Sequence, residues 1–212
     1  MAPLEIEQRV TQLAAAAGVL VAPALSRQLA SYFGLLAKWN KTLNLTGFEL
    51  SRPSDAAIRR LLVEPLAAAA LVPPSVSAAI DVGSGGGSPA LPLKLLRPAI
   101  RFVLVESKAR KGAFLREAIR HLELDHADVV TERFEEFATR PDRQVTADLV
   151  TLRAVRVDAD RWSEIANVLR PGGRVLLFGT RDASPPVHPP FETASTLEVP
   201  GLDVLITAAV RR

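Results

Sequence analysis

The feature that most constrains the fold is an alternation of short apolar runs and amphipathic stretches that begins at Ser77. The runs have the length of buried strands, and the stretches between them carry apolar residues at helical spacing. The alternation predicts right-handed βαβ units, and hence a parallel sheet with helices on both faces. The candidate strands are Ala78–Val82, Phe102–Glu106, Ala127–Thr131, Asp148–Leu152 and Arg174–Phe178, and the candidate helices lie near 90–97, 108–122 and 159–170.

The end of the chain has a different pattern, because two strand-like runs follow one another directly. Ser195–Val199 and Leu202–Ala209 are separated only by Pro200-Gly201, which suggests a hairpin added to the sheet. The sequence therefore predicts an α/β protein with a Rossmann-like, mostly parallel, seven-stranded sheet.

Residues 1–72 contain three helical patterns and no convincing strand. Gly18 is placed to stop the first helix, and Ser54 is a good N-cap for the third. Pro65 falls inside the third pattern and should bend or end it. We expect an N-terminal helical cap over residues 1–72, followed by a ligand-binding domain over residues 73–212.

A glycine-rich loop follows the first predicted strand and precedes a helix. Gly83, Gly85 and Gly87 alternate there after Asp81, and a loop without side chains allows a ligand to approach the backbone. Glu106 ends the second predicted strand, about 20 residues further on, where an acid commonly binds ribose hydroxyls. Together they indicate a nucleotide-like cofactor at the carboxyl edge of a parallel sheet.

The spacing of the glycines separates the possible cofactors. A dinucleotide fingerprint needs G-x-G-x-x-G, but here the third glycine comes one residue early and Ser88 occupies the later place. No G-x-x-x-x-G-K-[ST] sequence for a triphosphate is present. An acid followed by G-x-G-x-G resembles the first motif of class I S-adenosylmethionine-dependent methyltransferases, and Leu169–Gly173 resembles a turn common in them. NAD remains the alternative cofactor.

Composition excludes several classes of protein. The chain has 212 residues, 48% of them hydrophobic and 23% charged, a net charge of +3 and no cysteine. No apolar run reaches the roughly 20 residues of a membrane span, and the acidic N-terminus is unlike a secretory signal. His121 and His126 lie in no cluster with metal-ligand spacing. We expect a cytoplasmic monomer without a metal or membrane partner.

The segment after the fourth predicted strand narrows the kind of methyltransferase. Thr151–Val155 lacks the Asn/Asp-Pro-Pro-aromatic motif typical of enzymes that methylate exocyclic amines. Methylation of pyrimidine C5 needs a cysteine nucleophile, which the chain does not have.

Several segments, in the same order along residues 32–180, resemble the RsmG (GidB) family. They are Trp39–Thr46, the loop 81–89 with Pro92-Leu93, Glu106-Ser107, Arg110-Lys111, Phe114-Leu115, Arg133–Glu136 and Arg153-Ala154. That family transfers a methyl group from S-adenosylmethionine to N7 of a guanine in small-subunit ribosomal RNA. Guanine N7 carries a lone pair and no proton, so alignment and electrostatics can supply the catalysis without a general base.

The resemblance also implies roles for individual residues. Arg153 is the implied catalytic residue, with the methionine carboxylate or the RNA as its partner, since its planar fork suits either anion. The implied RNA partner, as free ribosomal RNA or as the small ribosomal subunit, would meet Asn40, Asn44, Arg110 and Lys111, although the two asparagines could simply end a helix. The implied cofactor contacts are Asp81, Gly83, Gly85, Gly87, Ser88, Glu106, Phe134, Glu135 and Arg153.

The chain departs from the family pattern at four places. The usual His-x-x-Asp-Ser-Leu segment of the cap is Leu61–Leu66 here, with Leu61 in place of the histidine and Glu64-Pro65 in place of Asp-Ser. Ser88 replaces an aromatic or apolar residue, and Gly179-Thr180 replaces a Lys-Gly pair. Two alternatives to the ribosomal RNA enzyme therefore remain: a methyltransferase with a small-molecule substrate, and a non-catalytic or NAD-binding module.

Overall fold

The chain forms one mixed sheet covered by helices on both faces in a computed structural model that describes residues 3–180, 186–199 and 204–212. The strands are β1 (Ala78–Val82), β2 (Arg101–Val105), β3 (Ala127–Val130), β4 (Ala147–Arg153), β5 (Leu169–Gly179), β6 (Phe191–Glu198) and β7 (Leu205–Arg211). Their order across the sheet is β3-β2-β1-β4-β5-β7-β6. Strands β1 to β5 are parallel, while β7 runs antiparallel to β5 and β6. The predicted Rossmann-like fold is confirmed.

The helices lie on both faces of the sheet. They are α1 (Pro3–Ala16), α2 (Pro23–Leu43), α3 (Asp55–Ile58), α4 (Glu64–Ala68), α5 (Ala90–Leu96), α6 (Ala109–His121), α7 (Phe134–Thr139) and α8 (Ala159–Val168), with a π turn at Arg59–Val63 and short 3-10 turns at Ala69–Leu71 and Pro141–Arg143. The N-terminal helices share one apolar core with α5, α6 and one face of the sheet. Helices α7 and α8 pack against the opposite face.

The predicted ends of the N-terminal helices agree with the structure. Gly18 follows α1 with a φ of +76°, a conformation that glycine adopts without strain. The Ser54 hydroxyl accepts the N–H of Ala57, as an N-cap should. Trp39 packs its ring 5.8 Å from that of Phe114, which joins α2 to α6.

The helix before β5 and the helix α7 differ from the prediction, whereas the hairpin agrees with it. The helix expected over 159–170 ends at Val168, and β5 begins directly at Leu169, because Pro171 disfavours a helical conformation in the residue before it. The short helix α7 was not predicted as an element, since its six residues carry too little periodic signal. The hairpin is confirmed by the pairing of β6 and β7, whereas its Pro200-Gly201 link lies outside the described residues.

Two expected absences can be compared with the described part of the chain. None of its helices combines the length and the apolar character that a membrane span requires. No group of three or more potential metal ligands occurs among its His, Asp and Glu residues.

Asp148 joins the starts of three strands. Its Oδ2 accepts the N–H of Ser77 at 2.9 Å, the Ser77 hydroxyl at 2.8 Å and the N–H of Ala78 at 3.0 Å. Its Oδ1 accepts from Arg170. Partial burial alone would raise the pKa of Asp148, but these hydrogen bonds outweigh it and lower the pKa to about 2. The carboxylate therefore stabilises the fold above its unfolded pKa.

We predict that Asp148→Ala lowers the free energy of unfolding by about 1–2 kcal/mol at pH 7, because the donors lose a charged acceptor at a partly exposed site. Urea denaturation at pH 7 and at pH 3 measures the effect. The difference from the wild type should shrink as the pH falls from about 4 towards 2, since the wild-type carboxylate then becomes protonated. A pH-independent difference would contradict this account.

Candidate active site

A large concavity at the carboxyl edge of the sheet lies over the loop between β1 and α5. This cavity, here called the loop cavity, has a volume of about 420 Å³. It lies where β1, β2 and β4 end, the place where open parallel sheets bind their ligands. Its lining consists of Leu36, Asn44 to Phe48, Arg60, Leu61, Gly83 to Gly86, Ser88, Glu106, Lys111, Arg153 and Ala154.

The glycines of the loop have different surroundings. Gly83 has a φ of +67°, and a Cβ there would lie 2.8 Å from a methyl group of Val155. Gly83, Gly85 and Gly86 line the loop cavity. Gly87, expected to face the cofactor, is not part of the lining: a Cβ at this position would lie 2.5 Å from Leu91. The absence of a side chain at Gly87 allows Leu91 of α5 to pack closely against the loop. Gly86, rather than Gly87, therefore exposes its backbone to the cavity.

The carboxylate of Glu106 is held in a fixed orientation beside the loop. Its Oε2 accepts the N–H of Gly85 at 2.9 Å, and its Oε1 accepts the N–H of Lys108 at 2.8 Å. The side chain is buried at the wall of the loop cavity. Each oxygen keeps further acceptor capacity, which suits two vicinal hydroxyl groups of a ribose.

Asp81 lies behind the loop and not in the cavity wall. Its Oδ1 accepts the Thr151 hydroxyl at 2.5 Å, while its Oδ2 is buried with no hydrogen-bond partner in the described structure. Burial raises the pKa of Asp81 to about 6, although the hydrogen bond from Thr151 and the charge of Arg153 oppose the shift. Asp81 supports the loop from the interior of the sheet.

The N-terminal helices and the loop that follows α2 supply one wall of the loop cavity, and two sets of hydrogen bonds hold this wall in place. The Tyr32 hydroxyl donates to the carbonyl of Gly86 at 2.6 Å, and burial raises the pKa of Tyr32, which keeps the phenol a donor. Asn40 accepts the N–H of Thr46 at 2.9 Å and donates to the carbonyl of Phe48 at 3.3 Å. Asn40 thus shapes the loop over residues 44–48, and Asn44, which ends α2 with a φ of +49°, faces the cavity.

A smaller cavity of about 150 Å³ lies on the other side of Gly83, and its lining includes Phe134 and Glu135, two of the cofactor contacts that the family resemblance implies. Phe134 is buried at the start of α7, and the guanidinium of Arg161 lies 5.2 Å from its ring centroid. Glu135 pairs with Arg161 at 3.2 Å. Gly83 lines both cavities, so a ligand that extends from one to the other passes over the first glycine of the loop.

The two basic residues at the start of α6 are placed differently. Lys111 belongs to the wall of the loop cavity, whereas Arg110 is exposed on the outside. Arg110 could therefore meet a large partner at the surface and not a ligand inside the cavity.

Arg153 lies in a buried cluster that joins the cap to the end of β4. Its Nη2 donates to Glu64 at 2.9 Å, and its Nη1 donates to Ser88 Oγ at 2.9 Å and to the carbonyl of Arg60. The Phe178 ring centroid lies 4.6 Å from the guanidinium carbon. The Glu64 side chain is fully buried and also pairs with Arg60 at 3.0 Å. Arg153 reaches the cavity wall with most of its donors already bound to protein.

Pro65 explains why this cluster forms. Helix α4 comes after a π turn in which the N–H of Glu64 donates to the carbonyl of Arg59, and Pro65 has no N–H for the carbonyls one turn before it. The carbonyls of Arg60 and Leu61 accept instead from Arg153 and from the Ser88 hydroxyl, the latter at 2.7 Å. The Ser88 hydroxyl and the Arg153 guanidinium thus replace the donor that Pro65 lacks.

Arg60, Glu64 and Tyr32 are site residues that sequence reasoning did not assign. The departure at Glu64-Pro65 was a signal for the first two, since a charged residue beside a helix-breaking proline needs buried partners. Tyr32 gave no signal apart from its place on the apolar face of α2.

We predict that Asp81→Asn gains stability relative to the wild type as the pH rises from about 4 to about 6. Over this range Asp81 ionises in the unfolded chain but stays protonated in the folded wild type. The free energy of unfolding of the wild type therefore falls by about 3 kcal/mol, whereas that of the variant does not. Urea denaturation across pH 4 to 7 measures the change, with the exposed Asp160→Asn on α8 as the control. Any loss of stability caused by the buried amide is independent of pH. A stability difference between variant and wild type that does not change with pH would refute the raised pKa of Asp81.

We also predict that Ser88→Ala lowers the free energy of unfolding by about 1–3 kcal/mol, because the Leu61 carbonyl and one Arg153 donor lose a buried partner. Chemical denaturation at neutral pH tests this, and the exposed Ser163→Ala is a matched control. Equal stability of the two variants would show that the hydroxyl is not needed there.

Solved structures of other proteins resemble the whole chain or its sheet. MtNAS, in complex with MTA and tNA, matches 98% of this chain and 86% of its own with a TM-score of 0.57 at 17% identity. A SAM dependent methyltransferase from Aquifex aeolicus matches 64% of this chain and 82% of its own with a TM-score of 0.51 at 16% identity. At this identity the likeness concerns the fold, which is the one predicted from the sequence.

Sequence relatives are closer. A ribosomal RNA small subunit methyltransferase G from Xanthomonas oryzae pv. oryzae is 36% identical over 191 residues, which cover 85% of this chain and 83% of its own. The protein of that name from Neisseria meningitidis serogroup A is 34% identical over 207 residues, which cover 94% and 95%. The family model described as rRNA small subunit methyltransferase G matches residues 25–184. The chain therefore belongs to the GidB family, that of rRNA small subunit methyltransferase G.

Proposed function

We propose that the protein transfers the methyl group of S-adenosylmethionine to N7 of a guanine in small-subunit ribosomal RNA. The observation that carries the proposal is the loop cavity, with its exposed glycine backbone and oriented Glu106 carboxylate, in a chain that belongs to this family. Family membership favours this function over a small-molecule methyltransferase and over an NAD-binding module.

In the proposed binding mode the adenine end of the cofactor lies in the small cavity and its methionine end in the loop cavity. Its adenine lies in the small cavity between Gly83 and Phe134, beside Glu135, and its ribose hydroxyls bind Glu106. The methionine part then crosses Gly83 and Gly85 and ends near Ser88 and Arg153. Asp81 and Gly87 act from behind the loop, by supporting β1 and the packing of α5.

The RNA approaches from the open side of the loop cavity. Asn44 and Lys111 lie at its wall, Asn40 holds the loop that carries Asn44, and the exposed Arg110 contacts phosphate at the surface. Attack by the N7 lone pair needs no proton transfer, so the residues have to align the base and complement its charge. The family resemblance implies a catalytic role for Arg153, but its contacts with Glu64, Ser88 and the Arg60 carbonyl favour a role in holding the wall of the site.

The remaining expectations complete the proposal. Residues 1–72 form a cap that supplies one wall of the site, and residues 73–212 form the methyltransferase domain. The protein acts as a monomer in the cytoplasm, where it meets the small ribosomal subunit.

We predict that the protein transfers labelled methyl groups from S-adenosylmethionine to purified small ribosomal subunits that lack its modification. The RNA should then be cleaved at one guanine by borohydride reduction and aniline, because an N7-methylated guanine is open to both reagents. Label in a small-molecule fraction, with none in the RNA, would overturn the proposal.

A variant links this activity to the loop cavity. Glu106→Gln should weaken S-adenosylmethionine binding by about tenfold or more, since its amide must turn an N–H group towards the donor of Gly85 or Lys108. Calorimetry measures the affinity, and Glu136→Gln, on the exposed side of α7, is the matched control. Equal affinities of the two variants would remove Glu106 from the cofactor site.

A further inference from the structure

Two arginines lie at the same end of the loop cavity, but they differ in the donors that they can offer a ligand. Arg153 already donates to Glu64, Ser88 and the carbonyl of Arg60, and its Nε is buried without a partner. The Arg153 side chain is 9% exposed. A ligand could bind Arg153 strongly only by displacing one of these protein acceptors.

Arg60 has the opposite arrangement. Only its Nη1 is bound, to the two oxygens of Glu64 at 3.0 and 3.3 Å, and its Nε and Nη2 have no acceptor among residues 3–180, 186–199 and 204–212. Its side chain is 24% exposed. Arg60 also lines a second cavity of about 220 Å³ at the ends of β4 and β5, next to the loop cavity.

The charges of the cluster are not balanced. Arg60 and Arg153 carry two positive charges, and Glu64 between them carries one negative charge. Burial raises the pKa of Glu64, but both arginines oppose the shift and favour the carboxylate. One further anion at this end of the cavity would complete two ion pairs.

We propose that Arg60 binds the carboxylate of the methionine part of S-adenosylmethionine, and that Arg153 is a positioning residue. This proposal rests on the proposed function and concerns the same site. With the adenine near Phe134 and the ribose at Glu106, the amino acid part of the cofactor extends along Gly83 and Gly85 towards Arg60. The unbound Nε and Nη2 of Arg60 match the paired oxygens of a carboxylate.

Glu64, Arg153 and Ser88 each contribute to the position of Arg60. Glu64 fixes the position of the Arg60 guanidinium, and Arg153 holds Glu64 and the Arg60 carbonyl from the end of β4. Ser88 ties Arg153 to the glycine loop itself. The π turn that carries Arg60 is thereby anchored to the cofactor loop, so the carboxylate site and the ribose site keep a constant separation.

The test compares two ligands that differ by the carboxylate alone, S-adenosylmethionine and its decarboxylated form. The wild type should bind S-adenosylmethionine about tenfold to a hundredfold more tightly, as expected for a charge-assisted hydrogen bond. Arg60→Gln should remove this preference while it leaves the affinity for the decarboxylated ligand nearly unchanged. Calorimetry with the full chain measures both affinities.

Arg59→Gln is the matched control, because Arg59 is on the same π turn and lines neither cavity. It should keep the wild-type preference. Arg60→Lys keeps the charge beside Glu64 and should give an intermediate preference, so it tests the proposal even if the glutamine variant unfolds.

The outcomes separate the two proposals. If the wild type binds neither ligand, the proposed function fails. If the wild type prefers S-adenosylmethionine and the Arg60 variants keep that preference, the assignment of Arg60 is wrong. The assignment is also wrong if the Arg60 variants change only the KM for the ribosomal subunit, which would place an RNA phosphate on Arg60 instead.

Discussion

The buried ion pair of Glu64 with Arg153 is the interaction on which the site depends. It joins helix α4 to the end of the central strand β4, and removal of either partner would leave the other as a buried charge with fewer partners. Beside this pair, Pro65 interrupts the backbone hydrogen bonding of the helix, and the Arg60 carbonyl accepts from the same Arg153 guanidinium. A carbonyl left without its helical donor thus accepts a hydrogen bond from Arg153, which lies far along the chain. Arg60, which also pairs with Glu64, lies at the cavity wall.

In the proposed binding mode, the two cavities hold one extended ligand at several points. Phe134 offers an apolar contact, Glu106 hydrogen bonds and Arg60 a cationic end, so the points differ in chemistry. Such a set of contacts suits a molecule with a flat base, a sugar and a charged tail. Methyl transfer itself needs little from the protein beyond alignment, since a lone pair attacks a methyl group already activated by its positive sulfur.

Much of the fold could be predicted from local patterns. The strand-helix alternation, the N-cap at Ser54 and the stop at Gly18 depend on neighbouring residues, and the structure has them where they were expected. Glu106 was found because a strand end is itself a local feature. Arg60 and Tyr32 were not found, because their roles depend on Arg153 and Gly86, which lie far along the chain and which only packing brings near. The π turn could not be predicted either, because its carbonyls accept hydrogen bonds from Ser88 and Arg153, which are distant in the sequence.

The hydrogen bond from Tyr32 to the Gly86 carbonyl limits how the site can open for a ligand to enter or leave. A hinge motion that lifted the N-terminal helices as a block would break this bond, uncover the common apolar core and separate Glu64 from Arg153. The loop over residues 44–48, by contrast, is tied to α2 by the two hydrogen bonds of Asn40. Displacing that loop alone would leave the bonds from Tyr32 to Gly86 and from Arg153 to Glu64 intact. A cofactor exchanged past this loop would therefore find the binding points of the site in the same positions at each turnover.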